Sequence, residues 1–356
     1  SFIKNFLITK QKFFKVILLC ETLSSNKIFK SNNNYILPIL KKRKFLNRLY
    51  NFCKIFLFLK QYKKENKNIK INVLVRNDPI ALLAVSIISS SKDNIIFQSS
   101  FPHELGNKLK GFFQNLIFYY LRNIKINLMS VSDLGLKRLK HFFINHNKKM
   151  VLPLFSDFKY KAKKYKKNKF FYISYIGAHD KIRQLKFVIE SIILFLEKNK
   201  ESKKFRTEKI KFLFIGSSSN QKVELIKLTK NYRKNFVFIE KLKKKRINDY
   251  LNISDVGISL IPPLKIYRES CPTKIIEYIS CKIPIIANHE IPFQKKILKK
   301  NIGYSVSWNQ LSISKGFENI LSDKKFNIKK KNAFKFYKKN FYPSKYQKEF
   351  YKTILQ

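Results

Sequence analysis

Short apolar runs alternate with amphipathic stretches from one end of this chain to the other. That rhythm restricts it to folds made of βα units around parallel sheets. In the first part, "KVILLC" (15–20), "INVLVRN" (71–77), "NIIFQSS" (94–100), "INLMSVS" (126–132) and "MVLPLF" (150–155) read as strands. Helical patterns lie between them, over 48–65, 79–91 and 105–123. A lysine-dense break, "DFKYKAKKYKKNK" (157–169), reads as a linker. Strands resume at 170–177, 210–217, 236–240, 256–262, 283–288 and 303–308, a six-strand doubly wound pattern. The expected organisation is therefore a domain over 1–156, a linker, and a second domain over 170–325. Basic helices over 326–356, broken at Pro343, are expected to pack back toward the first domain. Two doubly wound halves facing across a cleft would bind ligand at the carboxyl ends of their strands.

At 356 residues, 45% hydrophobic and 15% aromatic, the chain can bury two cores and is not a disordered tail. Its 75 Lys+Arg against 22 Asp+Glu give a formal charge of +53. Such a charge invites a nucleic-acid reading. However, Lys, Asn, Ile, Phe and Tyr all come from AT-rich codons, and the lysines spread along the whole chain without a stripe. No specific nucleic-acid partner is expected. A basic surface still attracts anionic nucleotides and lipid headgroups. Cys20, Cys53, Cys271 and Cys281 show no CxxC spacing, which argues against a zinc site or disulfide framework and fits a reducing cytoplasm. No apolar run approaches the roughly 20 residues needed to span a bilayer, and there is no clean signal peptide. A cytoplasmic protein is expected. The helix "KLKGFFQNLIFYYLRN", with basic ends and a broad aromatic face, would either lie on an anionic membrane or pack into a core.

The most informative stretch is "YRESCPTKIIEYISCKIPIIAN", Tyr267–Asn288, where Glu269 and Glu277 are separated by seven residues in an acid-poor chain. It follows "VGISLIPP", a strand ending at a Pro-Pro break. "PTKIIEYIS" then starts a helix, with Pro272 suited to the first helical position and Ser270 or Cys271 able to cap. Ile275, Ile276 and Ile279 form its core stripe. The helix mouth offers unpaired N–H groups and the positive dipole end, which suit a phosphate. Glu277 lies about 7–8 Å further along the axis at 1.5 Å per residue, within reach of an attached ribose diol. Glu269, upstream, would meet a sugar on the other side of a diphosphate. Alternatively, Lys274 and Glu277 form an ordinary surface pair, and Glu269 is a solvated loop acid.

This stretch resembles the group 1, GT-B-type glycosyltransferases with a Glu-x7-Glu motif. "YIGAHDKIRQLKFVIESI" (175–192) is similar to the opening strand, glycine turn and helix of their nucleotide-binding domain. "FLFIGSSS" (212–219) resembles the second strand and its glycine, Gly216. The likeness covers about residues 170–310 well and the first half loosely. It implies two Rossmann-like domains in which Glu269 contacts the donor sugar and Glu277 the ribose. Backbone at Ser270, Cys271, Pro272 and Thr273, with Lys274 beside it, would hold the distal phosphate. Arg183 or Lys181, after the Gly177 turn, would neutralise the diphosphate without a metal. The family more often has another basic residue directly after that glycine and a Lys-Gly beyond, where this chain has Ala178 and Gln184-Leu185. In the first domain, the family's sugar-side histidine would correspond to Gln98 at its strand end or to His103 in the following loop. The family's opening strand with a Gly-rich loop is not found before Val16. The chain opens on Ser1, so a start is missing or the loop has diverged.

The resemblance implies a glycosyltransferase, retaining, that moves a sugar from a nucleotide-diphosphate donor to a glycan or lipid-linked acceptor. Cell-surface polysaccharide or lipopolysaccharide synthesis is the expected setting, with peripheral contact at the inner face of the plasma membrane. Two alternatives stay open. One is another GT-B enzyme, such as a nucleotide-sugar epimerase, and the other is a catalytically silent basic binding protein.

Overall fold

A computed structural model describes residues 16–21, 29–31, 34–39, 45–67, 69–100, 108–156, 158, 160, 170–202 and 204–354. The chain divides into two compact units, Ser1–Pro153 with Pro343–Gln356, and Leu154–Tyr342. Most of the expected linker and the position of His103 lie outside the described residues.

In the first unit, β1 (Val16–Glu21) and β3 (Asn34–Ile39) pair in parallel, and β2 (Phe29–Ser31) joins β3 antiparallel. After α1 (Phe45–Glu65) comes a parallel sheet of β4 (Asn72–Arg76), β5 (Asn94–Ser99), β6 (Ile126–Ser130) and β7 (His146–Val151), in that order. Its crossovers are α2 (Pro79–Ile88), α3 (Lys108–Tyr120) and α4 (Asp133–Phe142). Asp78 starts α2 by accepting from the Ile80 and Ala81 amides, with Pro79 in the first turn. β6 is buried along its whole length, as a central parallel strand covered on both faces must be. Phe97, Phe118 and Phe143 meet at centroid distances of 5.0–6.1 Å to form the core beneath it.

The expected strand over 150–155 is displaced: β7 begins at His146 and ends at Val151, two residues before Pro153. "HNKKMV" is an edge strand with one polar face, so a search for apolar runs finds only its end. On α3, Leu109, Phe112, Phe113, Leu116, Tyr119 and Tyr120 are all exposed, so its aromatic face does not pack into the core.

The second unit is one six-stranded parallel sheet, made of β8 (Phe171–Ile176), β9 (Ile210–Ser217), β10 (Phe236–Glu240), β11 (Val256–Ser259), β12 (Ile285–Asn288) and β13 (Gly303–Val306). The spatial order is β10-β9-β8-β11-β12-β13, with every neighbouring pair parallel. The connecting helices are α5 (Leu185–Lys198), α6 (Ser219–Leu228), α7 (Lys244–Ile253), α8 (Thr273–Ser280), α9 (Pro292–Leu298) and α10 (Gln310–Ser322). The winding direction reverses between β8 and β11. Such a switch point leaves a crevice at the carboxyl ends of those two strands, where ligands bind in open α/β sheets.

Phe212, Phe214, Phe236 and Phe238 stack across β9 and β10 on one side of the sheet. At about 25 cal/mol per Å² of buried apolar area, each such ring contributes on the order of 2–3 kcal/mol to the unit. The two basic helices expected over 326–356 are divided between the units. α11 (Phe326–Asn340) packs on α8, while α12 (Pro343–Ile354) belongs with the first unit.

Candidate functional site

Two loops leave the sheet at the switch point, one after β8 and one after β11. The first turns at Gly177, whose N–H donates to the Ile215 carbonyl at 3.0 Å. Gly216, the penultimate residue of β9, has φ +124°, and a Cβ there would stand 2.3 Å from the Gly177 carbonyl oxygen. The two turns are thus in backbone contact, which only glycine permits at this position. Beyond Gly177 a single 3₁₀ turn, Lys181–Arg183, precedes α5. Lys181 is exposed. Arg183 is half-buried, its Nε 3.6 Å from Asp180 Oδ1 and its guanidinium 5.3 Å from the centre of the Tyr267 ring. Tyr267 belongs to the second loop, so Arg183 joins the two.

The second loop runs through Glu269, which is half-buried, to α8. Helix α8 begins at Thr273, with Pro272 in extended conformation before it and no side-chain cap. The expectation that Pro272 is the first helical residue, capped by Ser270 or Cys271, is corrected here. Ser270 instead donates its hydroxyl to the Tyr267 carbonyl at 2.7 Å, tightening the preceding turn. Cys271 is enclosed, and burial pushes its thiol up to about 12, so it is no nucleophile. Thr273 is exposed at the mouth, while Ile275, Ile276 and Ile279 are fully buried as their spacing requires.

Lys274 is not a surface residue. It is 7% exposed, its Nζ has no hydrogen-bond partner, and it stands 3.9 Å from the centre of the Tyr175 ring. A Cβ on Gly177 would lie 3.7 Å from that Nζ, so the ammonium lies directly against the first turn. Burial, then the nearby Arg183 charge, push the lysine pKa down to about 7 against the opposing pull of Glu277 and Asp180. Glu277, one turn further along α8, is half-buried. Burial raises its pKa, while Lys244 and Lys274 work the other way.

A tyrosine holds this geometry. The hydroxyl of Tyr278 accepts from the Ile176 amide at 2.9 Å and donates to the Ser174 carbonyl at 2.8 Å, fastening α8 to β8. Its ring lies on Gly257 of β11, where a Cβ would be 2.3 Å from the nearest ring carbon. The first turn and the second loop therefore share one support.

Sequence reasoning missed His179. It is buried, with its ring against Tyr175 and Phe214 at 5.6 and 6.4 Å, and neither ring nitrogen reaches hydrogen-bond geometry. Burial first, then the Lys274 charge, push its pKa down to about 4, against a weaker pull from the Ile215 carbonyl. Its own carbonyl accepts from Gln221 Nε2 of α6 at 2.7 Å. The available signal was its place two residues after Gly177.

Gly177, Arg183, Gly216, Lys274, Glu277 and His179 thus share one end of the second unit's sheet, with Glu269 in the loop leading to it. Gln98 belongs to the first unit, at the end of β5, fully buried with no hydrogen-bond partner for Oε1. Among the described residues no group of three or more His, Cys, Asp and Glu side chains could hold a metal ion.

Comparisons with known proteins bear on the family and the fold. The family described as "Glycosyl transferases group 1" matches residues 156–341 of the 356. No curated protein matches the chain. Among solved structures, sucrose-phosphate synthase from Thermosynechococcus elongatus superposes with a TM-score of 0.70 at 12% identity, covering 99% of this chain and 92% of the other. WaaG, a glycosyltransferase involved in lipopolysaccharide biosynthesis, gives 0.66 at 11% identity, covering 98% and 94%. A glycosyltransferase from Rickettsia africae gives 0.63 at 16%, covering 90% and 86%. At such identities the likeness is one of fold, and that fold is GT-B. The chain belongs to the group 1 glycosyltransferases.

Proposed function

We propose that this glycosyltransferase takes its sugar from a nucleotide-diphosphate donor held at the switch point of the second unit. The ribose hydroxyls bind Glu277, the diphosphate meets Lys274, Arg183 and the mouth of α8, and Glu269 orients the sugar. Transfer forms a bond from an acceptor hydroxyl oxygen to the anomeric carbon and breaks the bond from that carbon to the diphosphate oxygen, which leaves with the electron pair and takes up the hydroxyl's proton. Cations at that oxygen stabilise the departing charge more than the ground state, which is what accelerates the step. No metal is invoked, because the protein's own cations take that role. We assign retention of configuration.

One observation carries the proposal. An enclosed lysine nitrogen without a hydrogen-bond partner lies against a glycine turn at the switch point, with a half-buried carboxylate one helical turn away. Thermal stabilisation by uridine or guanosine diphosphate tests it. Stabilisation in the wild type that disappears in Glu277→Ala is the expected result. Salt-sensitive DNA binding that ignores Glu277→Ala, without any nucleotide effect, would sink the proposal in favour of a binding protein. A donor-hydrolysis screen across nucleotide-sugars then identifies the sugar.

The acceptor side of the proposal is a glycan or lipid-linked precursor of a cell-surface polymer, as WaaG's involvement in lipopolysaccharide biosynthesis suggests. Support comes from α3, where Phe112 is 63% and Tyr120 is 74% exposed beside the exposed Lys108 and Lys110. An aromatic stripe flanked by lysines fits an anionic bilayer surface. No helix among the described residues is long and apolar enough to cross a membrane. Vesicles containing phosphatidylglycerol should bind the protein, and Phe112→Ser with Tyr120→Ser should release it. Equal binding to neutral vesicles would overturn the membrane assignment.

A further inference from the structure

The second unit encloses two nitrogen-bearing side chains, Lys274 and His179, around one turn, and neither makes a hydrogen bond. Interiors rarely leave a polar group without a partner, and a buried cation is the most costly case. What each lacks is an acceptor. The wall facing the Lys274 ammonium is Gly177, the one residue type that leaves the space of a side chain open above it. An anion seated on that turn would supply the missing acceptor. We infer that Lys274 is the principal counter-ion of the donor's diphosphate, and that the diphosphate binds together with a proton taken up on the Lys274 amine. The inference rests on the nucleotide-donor reading of this site and goes beyond it by naming the group that changes charge.

The surrounding charges fix where the proton goes. Arg183 faces the amine from the first loop and favours its neutral form, while Asp180 from the same loop and Glu277 from α8 oppose that. Tyr175 of β8 lies beneath it. With a pKa pushed down to about 7, the amine is largely neutral by pH 8 in the empty protein, and a doubly charged phosphate restores the ammonium. His179 is held neutral down to about pH 4 and does not take part in the proton exchange.

Titration calorimetry of the full chain with uridine and guanosine diphosphates, at pH 8 in two buffers of different ionisation heat, counts the protons. At that pH the nucleotide phosphates are fully ionised and add none of their own. The wild type should take up about 0.9 proton per diphosphate. His179→Phe should keep that uptake. Lys274→Arg should bind without uptake, because its charge is permanent. Lys274→Met should bind at least about thirty-fold more weakly, and also without uptake. Inorganic pyrophosphate, as a base-free probe, should lose affinity in Lys274→Met and keep it in Glu277→Ala. If Lys274→Met binds as the wild type does, or still takes up a proton, the inference is overturned. In that case loss of nucleotide binding in Glu277→Ala would leave the nucleotide-donor reading standing. If neither nucleotides nor pyrophosphate bind the wild type, both fall together.

Discussion

Replacing Lys274 by methionine should make the ligand-free protein more stable, by an amount that depends on pH. In the fold the amine titrates near 7, whereas an unfolded lysine titrates near 10.5. The difference is about 3.5 pKa units, and at 1.36 kcal/mol per unit it amounts to about 5 kcal/mol. The sign follows from which state holds more protons. Below pH 7 both states are charged and the folded one bears the whole penalty. As pH rises from 7 to 10.5 the unfolded lysine also becomes neutral, and the penalty fades. The attraction of the ammonium to the Tyr175 ring, 3.9 Å away, is already part of where the amine titrates, so nearly the whole of that cost is present at pH 6.5.

Methionine is unbranched and of similar length, so it fills the same space with little strain. For a unit of this size 1 kcal/mol moves Tm by roughly 2–4 °C, so Lys274→Met should melt roughly 10–20 °C higher at pH 6.5. At pH 10 the gain should fall below about 1 kcal/mol. The sole tryptophan, Trp308, stacks on Phe187 at 4.9 Å within the second unit, so its fluorescence follows the relevant transition. A variant that melts lower than the wild type at both pH values, or a gap that does not change with pH, would refute the reasoning.

Three further outcomes can be measured with the same fluorescence assay. Tyr278→Phe removes the hydroxyl that serves both Ile176 and Ser174 and leaves a buried amide unpaired. It should cost about 2–4 kcal/mol and weaken nucleotide binding as α8 loosens from β8. His179→Phe should leave stability at pH 7.5 within about 1 kcal/mol, since the new ring lies between Tyr175 and Phe214. In the wild type the buried neutral imidazole loses stability as pH falls from 6.5 to about 4, because only the unfolded chain takes the proton. The variant should lack that loss of about 3 kcal/mol, and equal acid sensitivity would contradict it. Gly216→Ala would drive a Cβ to 2.3 Å from the Gly177 carbonyl at φ +124°, so a drop of at least about 2 kcal/mol is expected. An unchanged melt would mean that the two turns are not in contact.

The second unit was largely legible because its strands are unbroken apolar runs, and because a proline and an isoleucine stripe mark α8 within a few residues. Periodicity within one element shows which face of it is inward. It cannot show what lies beneath that face when the partner is about a hundred residues away. For this reason the sequence left open that Lys274, one of 75 basic residues, forms a surface pair with Glu277, although it lies on Tyr175. The same blindness hid His179, whose burial depends on Phe214 of β9. Pro272 deceived because proline suits both the first helical position and the extended residue before it. β7 was misplaced because an edge strand need not be apolar on both faces.

The hydroxyl of Tyr278 also joins two parts of the chain that are made far apart in time. It ties a helix to a strand formed from residues 102 and 104 positions earlier, by bonds to Ile176 and Ser174. A growing polypeptide that has made the Gly177 turn but not yet released Tyr278 from the ribosome lacks this tie, so the turn and the enclosure of Lys274 are complete only once both segments are present.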